Sequence, residues 1–239
     1  MSDASRAAAA LVDMPADGSR PVVLGIAGGV SVGKTTLADE LRGDLPGRVD
    51  VVGTDGFLFS NAVLAERGLV ARKGFPESYD LDALRSFLIA ARAGELPRLV
   101  PCYSHVTYDV AGERLVAPVD VLIVEGLNVL AAAADLLDVA VYLDAAEEHL
   151  EAWYRTRFLE LVAEAEDDPS SFYRAFAGLD ADQAARVAGE VWRAVNLVNL
   201  RDHVAPSRAR AGCVITKGAN HEVVAVEHRP DLATEGEGS

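Results

Sequence analysis

The chain has 239 residues, half of them hydrophobic, and at that length a compact fold withdraws roughly 70–75% of the unfolded surface from water, enough for one sizeable core. Twenty-two Lys and Arg against 37 Asp and Glu leave a formal net charge of −15, a surface that repels DNA, RNA and anionic lipid, so neither nucleic acid nor a membrane is an expected partner. Cys102 and Cys213 are too few for a disulfide framework and lack any Cys/His spacing suited to zinc, which fits small buried side chains in a reducing cytoplasm.

Residues 1–20 carry an Ala-rich run far shorter than the ~20 apolar residues of a membrane span, and read as a flexible tail or one loose helical turn. Valine-rich apolar runs then recur at 21–28, 49–57, 119–127, 139–144 and 211–218. Such continuous runs suit strands buried on both faces of a parallel sheet. Helical patterns lie between them. Leu37, Leu41 and Leu45 repeat every fourth residue, and Leu81, Leu84, Leu88 and Ala91 mark a helix with Asp80 as N-cap and Gly94 as its stop. The order strand, helix, strand gives the α/β class.

A long helix is expected from Asp144, where DAAE has the capping-box spacing. Its apolar stripe holds Leu150, Trp153, Tyr154 and Leu161, and the helical period puts Arg157 among them. A further helix near 181–200 shows the stripe Ala184, Val187, Val191, Val195 and Val198, with Trp192, Asn196 and Asn199 on another face. The tail after 229 is polar and acidic and reads as disordered. No composition break divides residues 21–229, so they read as a single domain.

The most specific local signal is GGVSVGKTT, residues 28–36. Gly28, four residues, then Gly33-Lys34-Thr35 fits the phosphate-loop pattern, with the strand before it and the helix after it that the pattern demands. Gly28, Gly29, Val30, Ser31, Val32 and Gly33 would turn backbone N–H groups toward an anion at a helix N-terminus. Lys34 would reach the β- and γ-phosphates, the Thr35 hydroxyl would hold Mg²⁺, and Thr36 would join the nucleotide-binding set.

Two carboxylates end later strands. Asp55, in TDGF, lies where open α/β sheets bind ligands and could take a proton from an acceptor hydroxyl; position alone also allows an ordinary turn aspartate. Glu125, in IVEG, is a candidate for Mg²⁺ or its water shell, or else caps the next element. Arg157 on an apolar stripe either meets charge on a transferring phosphoryl group or snorkels to water.

The stretches TDGFLFSNAVLAERGLVARKGFPESYDLDAL (54–84), PCYSHVTYD (101–109), IVEGLNVL (123–130), EAWYRTRFLEL (151–161), DPSSFYRAFAGL (168–179) and VNLVNLRDHVAPSRARAGCVITKGANHEV (195–223), with the phosphate loop, closely resemble the bacterial type I pantothenate kinase family. The resemblance runs from about Val22 to Arg229. It implies a P-loop kinase fold, a parallel sheet flanked by helices with a helical lid, and ATP-dependent phosphorylation of the primary hydroxyl of pantothenate, the first step toward coenzyme A. It also implies Mg²⁺, a coenzyme A feedback ligand and a homodimer.

Matched motif to motif, the resemblance makes Asp55 the catalytic base and Arg157 a transition-state arginine. Lys73, Tyr103, His105, Tyr108, Tyr154 and Asn196 would contact pantothenate or line its entry, and Lys217 and His221 would lie beside the adenine. The lid would be the helix carrying Tyr154 and Arg157 with the 162–180 segment. Family members place a helical segment before the first strand, where this sequence has some twenty residues, and a serine where Gly29 stands. That last change should be tolerated, because backbone groups do the binding there.

Overall fold

The structure, a computed structural model, describes residues 1–15 and 18–229. The C-terminal stretch 230–239, expected to be disordered, lies outside the described residues. In chain order the main elements are α1 (Asp3–Ala9), β1 (Val22–Gly28), α2 (Lys34–Asp44), β2 (Val49–Gly53), α3 (Asn61–Glu66), α4 (Leu81–Arg92) and β3 (Arg98–Ser104). There follow β4 (Asp109–Val116), β5 (Val121–Glu125), α5 (Val129–Ala133), β6 (Val139–Ala145), α6 (Glu147–Glu164), α7 (Ala181–Val191), β7 (Cys213–Lys217) and β8 (Val223–His228).

Five of the strands are the valine-rich runs, and they form the core of a mostly parallel sheet ordered β2-β5-β1-β6-β7-β8. Every residue of β1 is buried, as are the first four of β5, which is why these runs do not alternate in polarity. Only β8, on the edge, is antiparallel, paired to β7. Helices cover both faces, so the α/β fold class read from the sequence is the one observed. Because the central strands run the same way, Gly28, Gly53 and Glu125 all arrive at one rim; Gly53 and Ile26 are both register partners of Glu125.

Four sequence expectations need correction. The N-terminal stretch is not a loose tail: α1 is capped by the Ser2 hydroxyl accepting from the Ser5 amide, and Ala4 and Ala8 are buried. Their small side chains bring α1 close to α2, where Ser5 Oγ donates to Asp44 Oδ2 at 2.7 Å. Asp144 does not cap α6, since β6 stays extended to Ala145 and N-cap Ala146 follows. The Asp144 carboxylate instead accepts from Arg208 Nε at 2.9 Å.

Of the stripe near 181–200 only Ala184 is buried; Val187, Val191, Val195 and Val198 are half-buried, and Ala188, Gly189, Trp192, Asn199, Leu200 and Val204 are buried instead. Ala184, Ala188 and Trp192 keep the ordinary i, i+4 spacing, and beyond them two π turns, Trp192–Asn196 and Leu200–Val204, take an extra residue each and rotate the face that a 3.6-residue period projects inward. The fourth correction concerns strands absent from the sequence reading: β3 and β4 form a separate antiparallel hairpin, with an irregularity between Pro101 and Tyr103, and Cys102 within it is only half-buried while Cys213 is buried.

The sheet's underside is tied by Asp138, whose carboxylate accepts from Arg20 at 2.7 Å, Arg92 at 2.8 Å and the Val23 amide at 2.9 Å. Burial opposes its charge, yet these donors win and hold its pKa below the ordinary 3.8. A carboxylate depressed in the folded state stabilises above its unfolded pKa, and that contribution disappears as pH falls through the folded value. Asp138→Asn should therefore cost about 2–3 kcal/mol at pH 7, read by urea denaturation, and the difference from the unmodified protein should shrink below about pH 4.

Candidate active site

The phosphate loop is shaped by sterics at its two ends. A Cβ on Gly28 would come within 2.4 Å of the Leu143 carbonyl oxygen, and Gly33 has a φ of 93° as the N-cap residue of α2, a conformation glycine adopts without penalty. Ser31 also has positive φ, 61°, and its buried hydroxyl has no hydrogen-bond partner among the described residues. Lys34 Nζ folds back onto the loop, donating to the Gly28 and Gly29 carbonyls at 3.2 and 2.9 Å. Its pKa is lowered by withdrawal from water, while the charges of Glu125 and Asp55 oppose that change. Beside Gly29, an added Cβ would meet Leu150 at 2.9 Å, so a serine here would require that flexible side chain to give way.

At the strand rim the Thr35 hydroxyl donates to Glu125 Oε1 at 3.2 Å. Burial raises the Glu125 pKa, and Lys34 works against it. Asp55 lies two residues past β2, in a 3₁₀ turn (Thr54–Phe57). Its Oδ1 accepts from the Tyr79 hydroxyl at 2.9 Å. Asp55 and Glu125 both act electrostatically on Lys34, so the three charged groups share one end of the sheet.

Next to Asp55 stands an aromatic and cationic cluster. Lys73 Nζ donates to Asn61 Oδ1 at 2.6 Å and to the Tyr108 carbonyl, and lies 4.3 Å from the centroid of the Tyr108 ring. Desolvation lowers its pKa, with Asp109 and Asp55 opposing. The hairpin places Tyr103 against His105 and Tyr108, with centroids 5.2 and 6.0 Å apart. Burial raises the pKa of both phenols, so they remain hydrogen-bond donors near neutral pH. Tyr154, on α6, is likewise pushed up to about 12 by burial, and interacts with the Asn196 amide. Asn196 Nδ2 is buried near that phenol but makes no hydrogen bond of normal geometry among the described residues, a donor that a ligand carbonyl, carboxylate or hydroxyl would satisfy better.

The 162–180 segment closes on this cluster. Phe172 stacks on Tyr108 at 4.6 Å, and its amide donates to the Val106 carbonyl at 2.8 Å. On the other side of α6 a cleft of about 500 Å³ runs over the phosphate loop, lined by Lys34, Thr35, Thr36, Arg157, Lys217 and His221 among others. Arg157 is not on an inward apolar face. It is exposed to this cleft and forms no ion pair among the described residues, whereas its neighbour Arg155 packs over Gly189 and pairs with Glu151 at 2.6 Å. The α6 side chains buried in the core are Leu150, Phe158 and Val162.

Lys217 and His221 lie apart in what they touch. Lys217 Nζ donates to the Val32 carbonyl at 3.0 Å and so braces the phosphate loop itself. His221 stacks on Trp153 with a centroid separation of 3.8 Å, and Trp153 Nε1 donates to the Ala219 carbonyl at 3.0 Å.

The chain is 48% identical over 228 residues to a pantothenate kinase from Sorangium cellulosum, covering 89% of this chain and 74% of that protein. A pantothenate kinase from Xanthobacter autotrophicus is 43% identical over 232 residues, covering 89% and 72%. The chain belongs to the pantothenate kinase family. A model of the broader phosphoribulokinase / uridine kinase family matches residues 23–155. Among solved structures, a protein assigned as a fructose transport system kinase from Silicibacter sp. TM1040 superposes with a TM-score of 0.65 at 26% identity, covering 84% of this chain and 93% of that one.

Within this pantothenate kinase family member, sequence reasoning missed several residues at the site. Trp153, Thr156 and Glu160 line the cleft beside Arg157, and their spacing of three and four residues was itself a signal of one helix face. Tyr79 and Asn61 partner Asp55 and Lys73, and no local pattern announces either contact. Among the described residues no helix is long and apolar enough to cross a membrane.

Proposed function

We propose that this chain transfers the γ-phosphoryl group of ATP to the primary hydroxyl of pantothenate, the first step toward coenzyme A. The observation that carries the reading is that Asp55 lies within electrostatic reach both of Lys34 in the phosphate loop and of Lys73 in the cluster with Tyr103 and Tyr108. The resemblance of the whole kinase domain to pantothenate kinases supports the choice of acceptor.

Pantothenate offers a carboxylate, an amide and two hydroxyls. Lys73 supplies a cation, the three phenols and the Asn196 amide supply donors, and the rings supply an apolar wall. A site built to pair each polar group rejects analogues lacking one by about 1–3 kcal/mol each. The acceptor oxygen attacks the γ-phosphorus as its proton passes to Asp55, and the bond to the bridging oxygen breaks, ADP keeping the electron pair. Lys34 leaves its loop carbonyls for the phosphates, Arg157 faces the transferring group from the α6 side of the cleft, and the backbone amides of the loop hold the remaining charge.

Mg²⁺ fits the hard oxygens of Thr35 and Glu125. Two such side chains suit an ion whose other ligands are phosphate oxygens and water. When bound, that ion neutralises charge on the phosphates.

An ADP-release assay over pantothenate, uridine, ribulose 5-phosphate and glycerate tests the reading. Turnover is expected with pantothenate; turnover confined to another acceptor overturns it.

A further inference from the structure

The two carboxyl oxygens of Asp55 stand in different surroundings. Oδ1 accepts the Tyr79 hydroxyl at 2.9 Å, while among the described residues no hydrogen bond reaches Oδ2. Tyr79 is 5% exposed, and its segment is fastened to the turn that carries Asp55. Leu58 and Tyr79 form an antiparallel bridge, the Phe59 amide donates to the Ser78 carbonyl at 2.9 Å, and the Asp80 amide to the Phe57 carbonyl at 2.8 Å. The phenol thus reaches Asp55 from a backbone that is itself locked to the other side of the same turn.

We propose that Tyr79 is a positioning residue for phosphoryl transfer: its hydroxyl pins Oδ1 and leaves Oδ2 as the oxygen that receives the proton of the acceptor alcohol. The inference rests on the reading of Asp55 as the base. A carboxylate on a single side-chain bond rotates, and rotation exchanges its two oxygens and moves the proton acceptor off line; a fixed donor on one oxygen removes that freedom. Burial and the neighbouring Asp55 charge raise the Tyr79 pKa well above its ordinary value, so the phenol keeps its own proton throughout. In the transfer step only the alcohol's O–H bond breaks, its proton moves to Oδ2, the new O–P bond forms, and ADP departs with the bridging oxygen's electrons.

The test compares Tyr79→Phe, Asp55→Asn and the double variant in steady-state kinetics and in ATP titrations. Tyr79→Phe keeps the buried ring and removes one hydroxyl, and unchanged ATP affinity will certify its fold. The expected result is a kcat about ten- to a hundred-fold lower, with KM for ATP unchanged and no further loss when the change is added to Asp55→Asn. A purely structural role would instead weaken ATP binding and lower activity equally in both backgrounds. Tyr79→Phe with unaltered kcat, alongside an inactive Asp55→Asn, overturns the role of Tyr79 alone. A fully active Asp55→Asn overturns the base, and this inference with it.

Discussion

Asp55→Asn should lower kcat by about 10²–10⁴-fold, the usual contribution of a positioned general base, and leave ATP affinity unchanged. Asparagine matches the carboxylate in shape and still offers an oxygen to Tyr79, so the turn after β2 keeps its bonds to residues 78–80. What disappears is the ability to take a proton. On the proposed reading the nucleotide would be held elsewhere, by the loop amides, Lys34 and the α2 N-terminus, none of which is bonded to Asp55. The loss should therefore fall on kcat and on kcat/KM for pantothenate together, the signature of an interaction made in the transition state. ADP release gives the rates and a nucleotide titration gives the affinity. A variant that lost ATP binding in proportion to turnover would mean that Asp55 serves the phosphate loop rather than the acceptor.

How far the sequence revealed this site depends on the range of the contacts involved. The phosphate loop was legible because its strand, its glycines and its helix are consecutive, and each leaves a local mark. The parallel sheet was legible because strands buried on both faces cannot hide their composition. By contrast, β3 and β4 are half-exposed, interrupted by Pro101, and paired only to each other, so no continuous apolar run announced them.

Periodicity failed where the backbone departs from an ideal period. Past α7 the two π turns each take an extra residue, so the burial of Asn199, Leu200 and Val204 is not what a count at 3.6 residues per turn foresees, and the valines are left half-buried. Contacts between distant segments left no trace at all. Tyr79 with Asp55, and Lys217 with Val32, join residues 24 and 185 positions apart, and only the folded sheet brings each pair together.

Arg157 shows how far the observed face can differ from the one that periodicity projects. Its placement on an apolar stripe suggested an inward cation, yet the structure turns it to the open cleft above Lys34 and Thr35 and gives the packed position to Arg155. The exposed position suits the chemistry better, since an arginine already committed to a carboxylate could not turn to a phosphoryl group without breaking that pair. Its charge lowers the Lys34 pKa, which puts it within electrostatic reach of the phosphate loop.

Arg157→Ala should accordingly reduce kcat by about 10³-fold, the low end for an arginine that meets transition-state charge. Arg157→Lys should recover only part of the loss, because an ammonium lacks the planar fork that grips two oxygens at once. Arg155→Ala is the matched control two residues away. It should lower thermal stability by releasing Glu151 and opening space over Gly189, while leaving kcat nearly unchanged. Steady-state kinetics and thermal melts on the three variants separate the two arginines. Equal losses of turnover from Arg155→Ala and Arg157→Ala would show that α6 needs its positive charge collectively, and that residue 157 has no special claim on the transferring phosphoryl group.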